Sequence, residues 1–220
     1  MGKKLIDRNK IIHAFLKASF DKSAGATSLS DVANILGVKK ASLYNHFSSR
    51  EEMYAATLTF CAEYVANVSF LPEPHEKYFS YSLETAVTKI ITSYFRSYEL
   101  DPLCAAYSFI QSERYFNEQA LQASYNQMHT IVDGISTVLY AHAKTHQSEV
   151  DAKKEITFRA VVIADIVTVH LNKMLLHRKD MIRKNPETGT GSLFELPVYK
   201  DELQAALSHI QRFIVCSEAP

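Results

Sequence analysis

The chain has 220 residues, 47% of them hydrophobic and 22% charged, with a formal net charge of zero. These are the proportions of an ordinary soluble globular protein, with length enough for one large core or two modest ones. Neutrality argues against a nucleic-acid partner only until the charges are placed: residues 1–50 hold nine Lys/Arg against three Asp/Glu, and residues 51–220 hold fifteen against twenty-one. One end is built to meet phosphates and the remainder is not. Cys61, Cys104 and Cys216 are far apart, odd in number and without CxxC or Cys/His ligand spacing, which fits reduced, mostly buried thiols. The N-terminal MGKKLIDRNK lacks the apolar run of a signal peptide, and no uncharged stretch approaches the ~20 residues of a membrane span, so a cytoplasmic protein is expected.

Helical periodicity runs through almost every long segment, so the fold class expected is all-α, with no repeat, low-complexity tract or convincing strand. The first helix spans about 7–21, with Ile11, Ile12, Phe15, Leu16 and Phe20 as its apolar stripe. SAGAT breaks it. Ser28 then suits an N-cap, with Asp31 in the first turn where a carboxylate is favoured. Leu29, Val32, Ala33 and Leu36 follow at i, i+3, i+4 and i+7, and Gly37 stops the helix in a tight turn. Residues 39–46 are a second short helix, with Val38, Leu43 and Phe47 inward. Ser49 caps a long helix followed by Glu51 and Glu52, whose buried side is expected at Met53, Thr57, Phe60, Cys61, Tyr64 and Val68.

LPEPHEKYF (71–79) interrupts with two prolines and serves as a boundary linker. The expected division is a 1–50 helix-turn-helix head, a connecting helix over 50–70, and a helical body over 71–220. In the body, helices are expected near 82–99, 102–115, 117–146, 150–182 and 199–216, with Asp101-Pro102 as a start signal. Residues 160–176, AVVIADIVTVHLNKMLL, are apolar around nearly the whole circumference and need cover on both sides. Residues 185–198 are a polar Gly/Pro-bearing loop.

The chemistry sits on the outer face of residues 39–46. Lys39 and Lys40 bring two positive charges to the helix start, where phosphate or guanine edges are met. Ala41 and Ser42 are small enough for close approach, and Tyr44, Asn45 and His46 offer hydrogen bonds one turn on. Arg50, at the start of the next helix, suits a phosphate beside backbone N–H groups, as does Ser28 at the start of the first helix of the pair. An amphipathic helical hairpin with a solvated face has the same periodicity.

The run ANILGVKKASLYNHFSSREEM resembles the head of the tetracycline-repressor (TetR/AcrR) family of bacterial transcription regulators. The matching positions are Ala33, Gly37, Val38, Ser42, Leu43, Tyr44, His46, Phe47 and Glu51, with Lys40 and Arg50 at contact positions; the likeness covers about residues 6–58. It implies a homodimer that binds a palindromic duplex operator as a repressor and releases it when a small molecule occupies the body. A two-fold pair also follows from physics, because one short helix reads few bases. The dimer is expected to form through the helices near 150–182 and 199–216, the latter presenting Leu203, Ala206, Leu207, Ile210, Phe213 and Ile214.

Partly buried stripes of the body carry Tyr94, Tyr98, Tyr107, Phe109, Tyr125 and His129, with Asp165 and His170 also expected inward; these suit an aromatic or amphipathic organic effector. His142 and His146 have i, i+4 spacing without a third ligand, so neither a metal nor a cofactor is expected. Two other readings stand beside this one. The body is a partner-docking module without a small-molecule pocket, or the chain is an all-helical enzyme, although a phosphate loop, a metal triad and a nucleophile with a base are all missing.

Overall fold

The computed structural model describes residues 6–99, 101–143, 149–184 and 198–218, with side chains throughout except at 149–151, 198–199 and 215–218. Among these residues every regular element is helical: α1 Arg8–Lys22, α2 Leu29–Leu36, a 3₁₀ helix Lys40–Asn45, α3 Arg50–Ala66, α4 Glu76–Phe79, α5 Leu83–Ser97, α6 Leu103–Glu113, α7 Glu118–His142, α8 Glu149–Lys184 and α9 Val198–Glu218. The expected helices are present within a few residues of their limits. One short turn of helix, α4, lies inside the proline-bearing linker and buries Tyr78. The 185–198 segment falls outside the described residues except for its last position.

Two compact units divide the chain: Met1–Val68 with Asp101–Asn126, and Ser69–Leu100 with Gln127–Pro220. In the first, α1 buries Ile11, Ile12, Phe15 and Leu16, and α3 buries Met53, Thr57, Leu58, Cys61 and Val65. Phe60 is only half-buried and Tyr64 is exposed, so the α3 stripe runs one position away from the expected one at these two residues. Leu103, Cys104, Tyr107 and Ile110 of α6 are buried, and α6 packs on both α1 and α3. Residues 101–126, which follow the linker and read with the body in sequence, thus share a compact unit with the head. Periodicity tells which side of a helix is covered, not by what. Burial pushes the Cys61 thiol far up, and Cys61 and Cys104 are both buried; the side chain of Cys216 lies outside the described residues.

In the second unit, α5 buries Ala86, Val87, Ile90, Ile91, Tyr94 and Phe95 at helical spacing, and α9 packs on α5 and α8. Ala160, Ile163, Ala164, Val167 and Leu171 of α8 are buried, as are Leu203, Ala206, Ile210 and Ile214 of α9. The α9 stripe is therefore largely covered within the chain. The apolar surface left over belongs to α8, where Phe158, Val161, Val169 and Leu176 are exposed. By length and composition alone Ala152–Lys184 is able to cross a membrane; in the folded chain its buried side is occupied by α9 and includes His170 and Arg178. Phe70 is fully buried edge-on against Tyr94, and a Cβ on Gly134 of α7 would stand only 2.7 Å from the Phe70 ring.

Candidate nucleic-acid interface

The head is assembled by short-range signals first. The Asp7 side chain caps α1 by accepting from the Lys10 N–H. At α2 a full capping box forms: Ser28 Oγ accepts from the Asp31 N–H at 3.2 Å, and Asp31 accepts from the Ser28 N–H at 2.9 Å. Lys22 reaches the same carboxylate at 2.6 Å, and these partners, Lys22 first, hold Asp31 well below the usual carboxylate range. Gly37 ends α2 at φ 66°, in the left-handed region where a Cβ is strained, and so turns the chain into the next helix.

That helix is 3₁₀, not α: the Ser42 N–H donates to the Lys39 carbonyl at 2.9 Å and the His46 N–H to the Leu43 carbonyl at 3.0 Å. The helix is only six residues long, set between a glycine turn and the Ser49 cap, and tighter i→i+3 bonds close it. Leu43 and Phe47, each 1% exposed, anchor it to the head. Lys39, Lys40, Ala41, Tyr44 and Asn45 are exposed, and Ser42 and His46 half-buried. Lys39, Lys40, Ala41, Tyr44 and Asn45 thus form the outward row, with two lysines at its leading end. Ser28 is exposed as well, its hydroxyl engaged in the capping box.

Arg50 differs. Its Nε donates to the Thr27 carbonyl at 2.8 Å, and its Nη2 to the carbonyls of Ala24 and Gly25. The guanidinium read from sequence as a phosphate contact is a clamp on the α1–α2 turn. Arg8 was not singled out at all. Its Nη1 donates to the His46 carbonyl at 2.8 Å and its Nη2 to Glu52 at 2.8 Å. No local signal marks it, because both partners lie about forty positions away in sequence.

Residues 11–57 match the model of the bacterial regulatory proteins of the tetR family. The chain is 31% identical over 71 residues, 32% of its length and 38% of the relative's, to the Biofilm operon icaADBC HTH-type negative transcriptional regulator IcaR of Staphylococcus aureus. It spans less than two-fifths of that curated relative's length. Over the whole chain the fold matches a putative TetR-family transcriptional regulator from Mesorhizobium loti, at TM-score 0.58 and 14% identity, covering 95% of each chain. A TetR transcriptional regulator from Legionella pneumophila matches at TM-score 0.57 and 14% identity, covering 96% of this chain and 99% of that one. The likeness in sequence is thus confined to the head, and over the whole chain the likeness is one of fold.

Beyond the head, the residues picked from sequence as effector contacts fall in separate places. Tyr94 and Tyr98 are fully buried together, their hydroxyls 3.1 Å apart, and Gln127 Nε2 donates to both, at 2.9 Å and 3.0 Å. Gln127 was missed because a lone glutamine in a long polar helix carries no signal. Tyr107 and Phe109 are also buried, but in the first unit. His170 is buried between Glu202, 2.7 Å from its Nδ1, and His209, 3.1 Å from its Nε2.

Three expectations of an inward side chain fail: Tyr125, His129 and Asp165 are exposed. On α7 the buried positions include Gln127, Ile131, Ile135 and Val138, and two residues from Gln127 in either direction is nearly half a helical turn away. Asp165 lies on the α8 side that carries Val161 and Val169. Both ring nitrogens of His142 face carbonyls, of Val138 at 2.8 Å and Tyr81 at 3.0 Å, while His146 lies outside the described residues. Among the described residues no group of three or more His, Cys, Asp or Glu is arranged to hold a metal.

Proposed function

We propose that the chain is a dimeric transcriptional repressor that reads a palindromic operator with the 3₁₀ helix and releases it when a small aromatic or amphipathic effector binds the helical body. The observation that carries the reading is the outward row Lys39, Lys40, Ala41, Tyr44 and Asn45 on a short helix pinned by buried Leu43 and Phe47. Lysines supply phosphate attraction and the polar groups one turn on supply base-edge hydrogen bonds. Repression is favoured by the likeness of the head to a negative regulator. A two-fold partner suits the exposed Phe158, Val161, Val169 and Leu176 on α8, a row of apolar groups on the side of the helix opposite its buried positions. Tyr94, Tyr98 and Gln127 are the polar groups an effector would meet in the apolar interior of the second unit. Such a regulator works in the cytoplasm.

The test is a binding series on a duplex selected by the protein from a random-sequence pool. Lys40→Ala weakens binding to all duplexes and lowers the salt slope by about one. Tyr44→Ala and His46→Ala weaken the selected duplex more than an unselected one. Unchanged affinity in all three variants removes the 3₁₀ helix from DNA recognition. Sedimentation of Val169→Asp/Leu176→Asp as a monomer, with the wild-type chain a dimer, supports the α8 interface.

A further inference from the structure

The far end of the 3₁₀ helix is gripped by a side chain from α1. Arg8 Nη1 donates to the His46 carbonyl and Nη2 to Glu52 Oε1, both at 2.8 Å, while the guanidinium lies 4.1 Å from the centroid of the Phe47 ring. The other oxygen of Glu52 accepts from the Ser48 N–H at 2.7 Å and from the Ser48 hydroxyl at 2.8 Å. Residues 46–48 are thus held on one side by Arg8 and on the other by a carboxylate that Arg8 itself orients. The His46 carbonyl is one of the acceptors a helix leaves unpaired at its C-terminal end. A six-residue 3₁₀ helix has poor internal hydrogen bonding, so beyond the buried Leu43 and Phe47 its direction depends on what holds its ends. Its start has no side-chain cap. The side-chain hydrogen bonds that hold it lie at its end.

We propose that Arg8 is a positioning residue for DNA reading: it sets the angle at which Lys40, Tyr44 and His46 meet a duplex, acting through the His46 carbonyl, the Phe47 ring and Glu52 rather than on a phosphate. This rests on the reading that the 3₁₀ helix faces DNA. The chemistry requires arginine, because a planar fork serves two acceptors and a ring face at once and a lysine ammonium does not.

The test uses the full chain with the duplex it selects from a random-sequence pool and an unselected duplex of equal length. Failure to select any duplex sinks the DNA-reading proposal itself, before Arg8 is in question. Arg8→Ala lowers affinity for the selected duplex about tenfold, leaves the unselected duplex within about twofold and keeps the salt slope. Arg8→Lys behaves like Arg8→Ala. Equal loss on both duplexes with a slope lower by about one, rescued by Arg8→Lys, makes Arg8 a phosphate contact and overturns the proposal. Wild-type discrimination in Arg8→Ala overturns it too. If Arg8→Ala does not fold, Glu52→Gln decides. Removing a negative charge near DNA strengthens all binding by electrostatics alone, so weaker binding to the selected duplex at unchanged helicity supports positioning, and stronger or equal binding refutes it.

Discussion

The Arg50 Nε donates to the Thr27 carbonyl at 2.8 Å, joining the first residue of α3 to the residue before the α2 cap. With Ala24 and Gly25 also accepting from Nη2, one guanidinium closes the α1–α2 turn. Carbonyls in a turn have no ladder partner, so they rely on such a donor.

Arg50→Lys is therefore expected to lower the stability of the head by about 1 kcal/mol and Arg50→Ala by about 2 kcal/mol, from lost charge-assisted hydrogen bonds. The denaturant midpoint measures it. Amide exchange over residues 24–28 should accelerate in step. A side chain serving only phosphate leaves both unchanged in the absence of DNA.

Acid should loosen the end of the 3₁₀ helix through Glu52. The Ser48 N–H first, then the Ser48 hydroxyl and Arg8, draw its pKa down to about 2 from an ordinary 4.5. A carboxyl depressed on folding contributes stability that is fully present above its unfolded value and is lost as pH falls through the folded one. The melting temperature should therefore decline as pH drops from about 4.5 toward about 2, and less steeply in Glu52→Gln. Parallel pH profiles for the two proteins would remove Glu52 from the acid response.

Tyr54 of α3 donates to Glu113 of α6 at 2.8 Å within the first unit, and burial followed by the Glu113 carboxylate pushes its phenol above the usual range. Tyr54→Phe keeps the ring against Phe109 and deletes only the hydrogen bond, so a loss of about 1 kcal/mol is expected. Urea unfolding followed by helicity checks it, and a neutral substitution shows that the bond exchanges evenly with water.

Gly134→Ala pits two effects against each other. Alanine improves helix propensity by about 1 kcal/mol, but its Cβ would stand 2.7 Å from a fully buried Phe70 ring that is itself seated edge-on against Tyr94. Overpacking costs about 1–3 kcal/mol, so net destabilisation is expected. The double variant with Phe70→Leu should recover part of it in a double-mutant cycle. A more stable Gly134→Ala single variant would mean that the ring yields freely.

The head was legible because its signals are local. Ser28 and Asp31 are three positions apart and form the capping box they suggest; Gly37 takes the left-handed turn; Leu43 and Phe47 point in and Lys40, Tyr44 and Asn45 point out. The helix type was not legible, since a run this short obeys the turns at its ends more than its own periodicity. On α7, Tyr125 and His129 are one helical turn apart and form a consistent stripe by themselves, but the buried stripe passes through Gln127.

The all-helical class, the charge division and the identity of the outward row were determined by the order of residues alone, because caps, turns and amphipathic spacing act over three or four positions. Which helix covers which, and what each arginine holds, was decided only in three dimensions. Arg8 and Arg50 look alike in the sequence as basic residues of a basic head, yet both are occupied by backbone carbonyls that folding brings to them from 23 to 38 positions away. A guanidinium goes to the unpaired acceptors within its reach, and only the packing of α1, α2 and α3 puts those acceptors there.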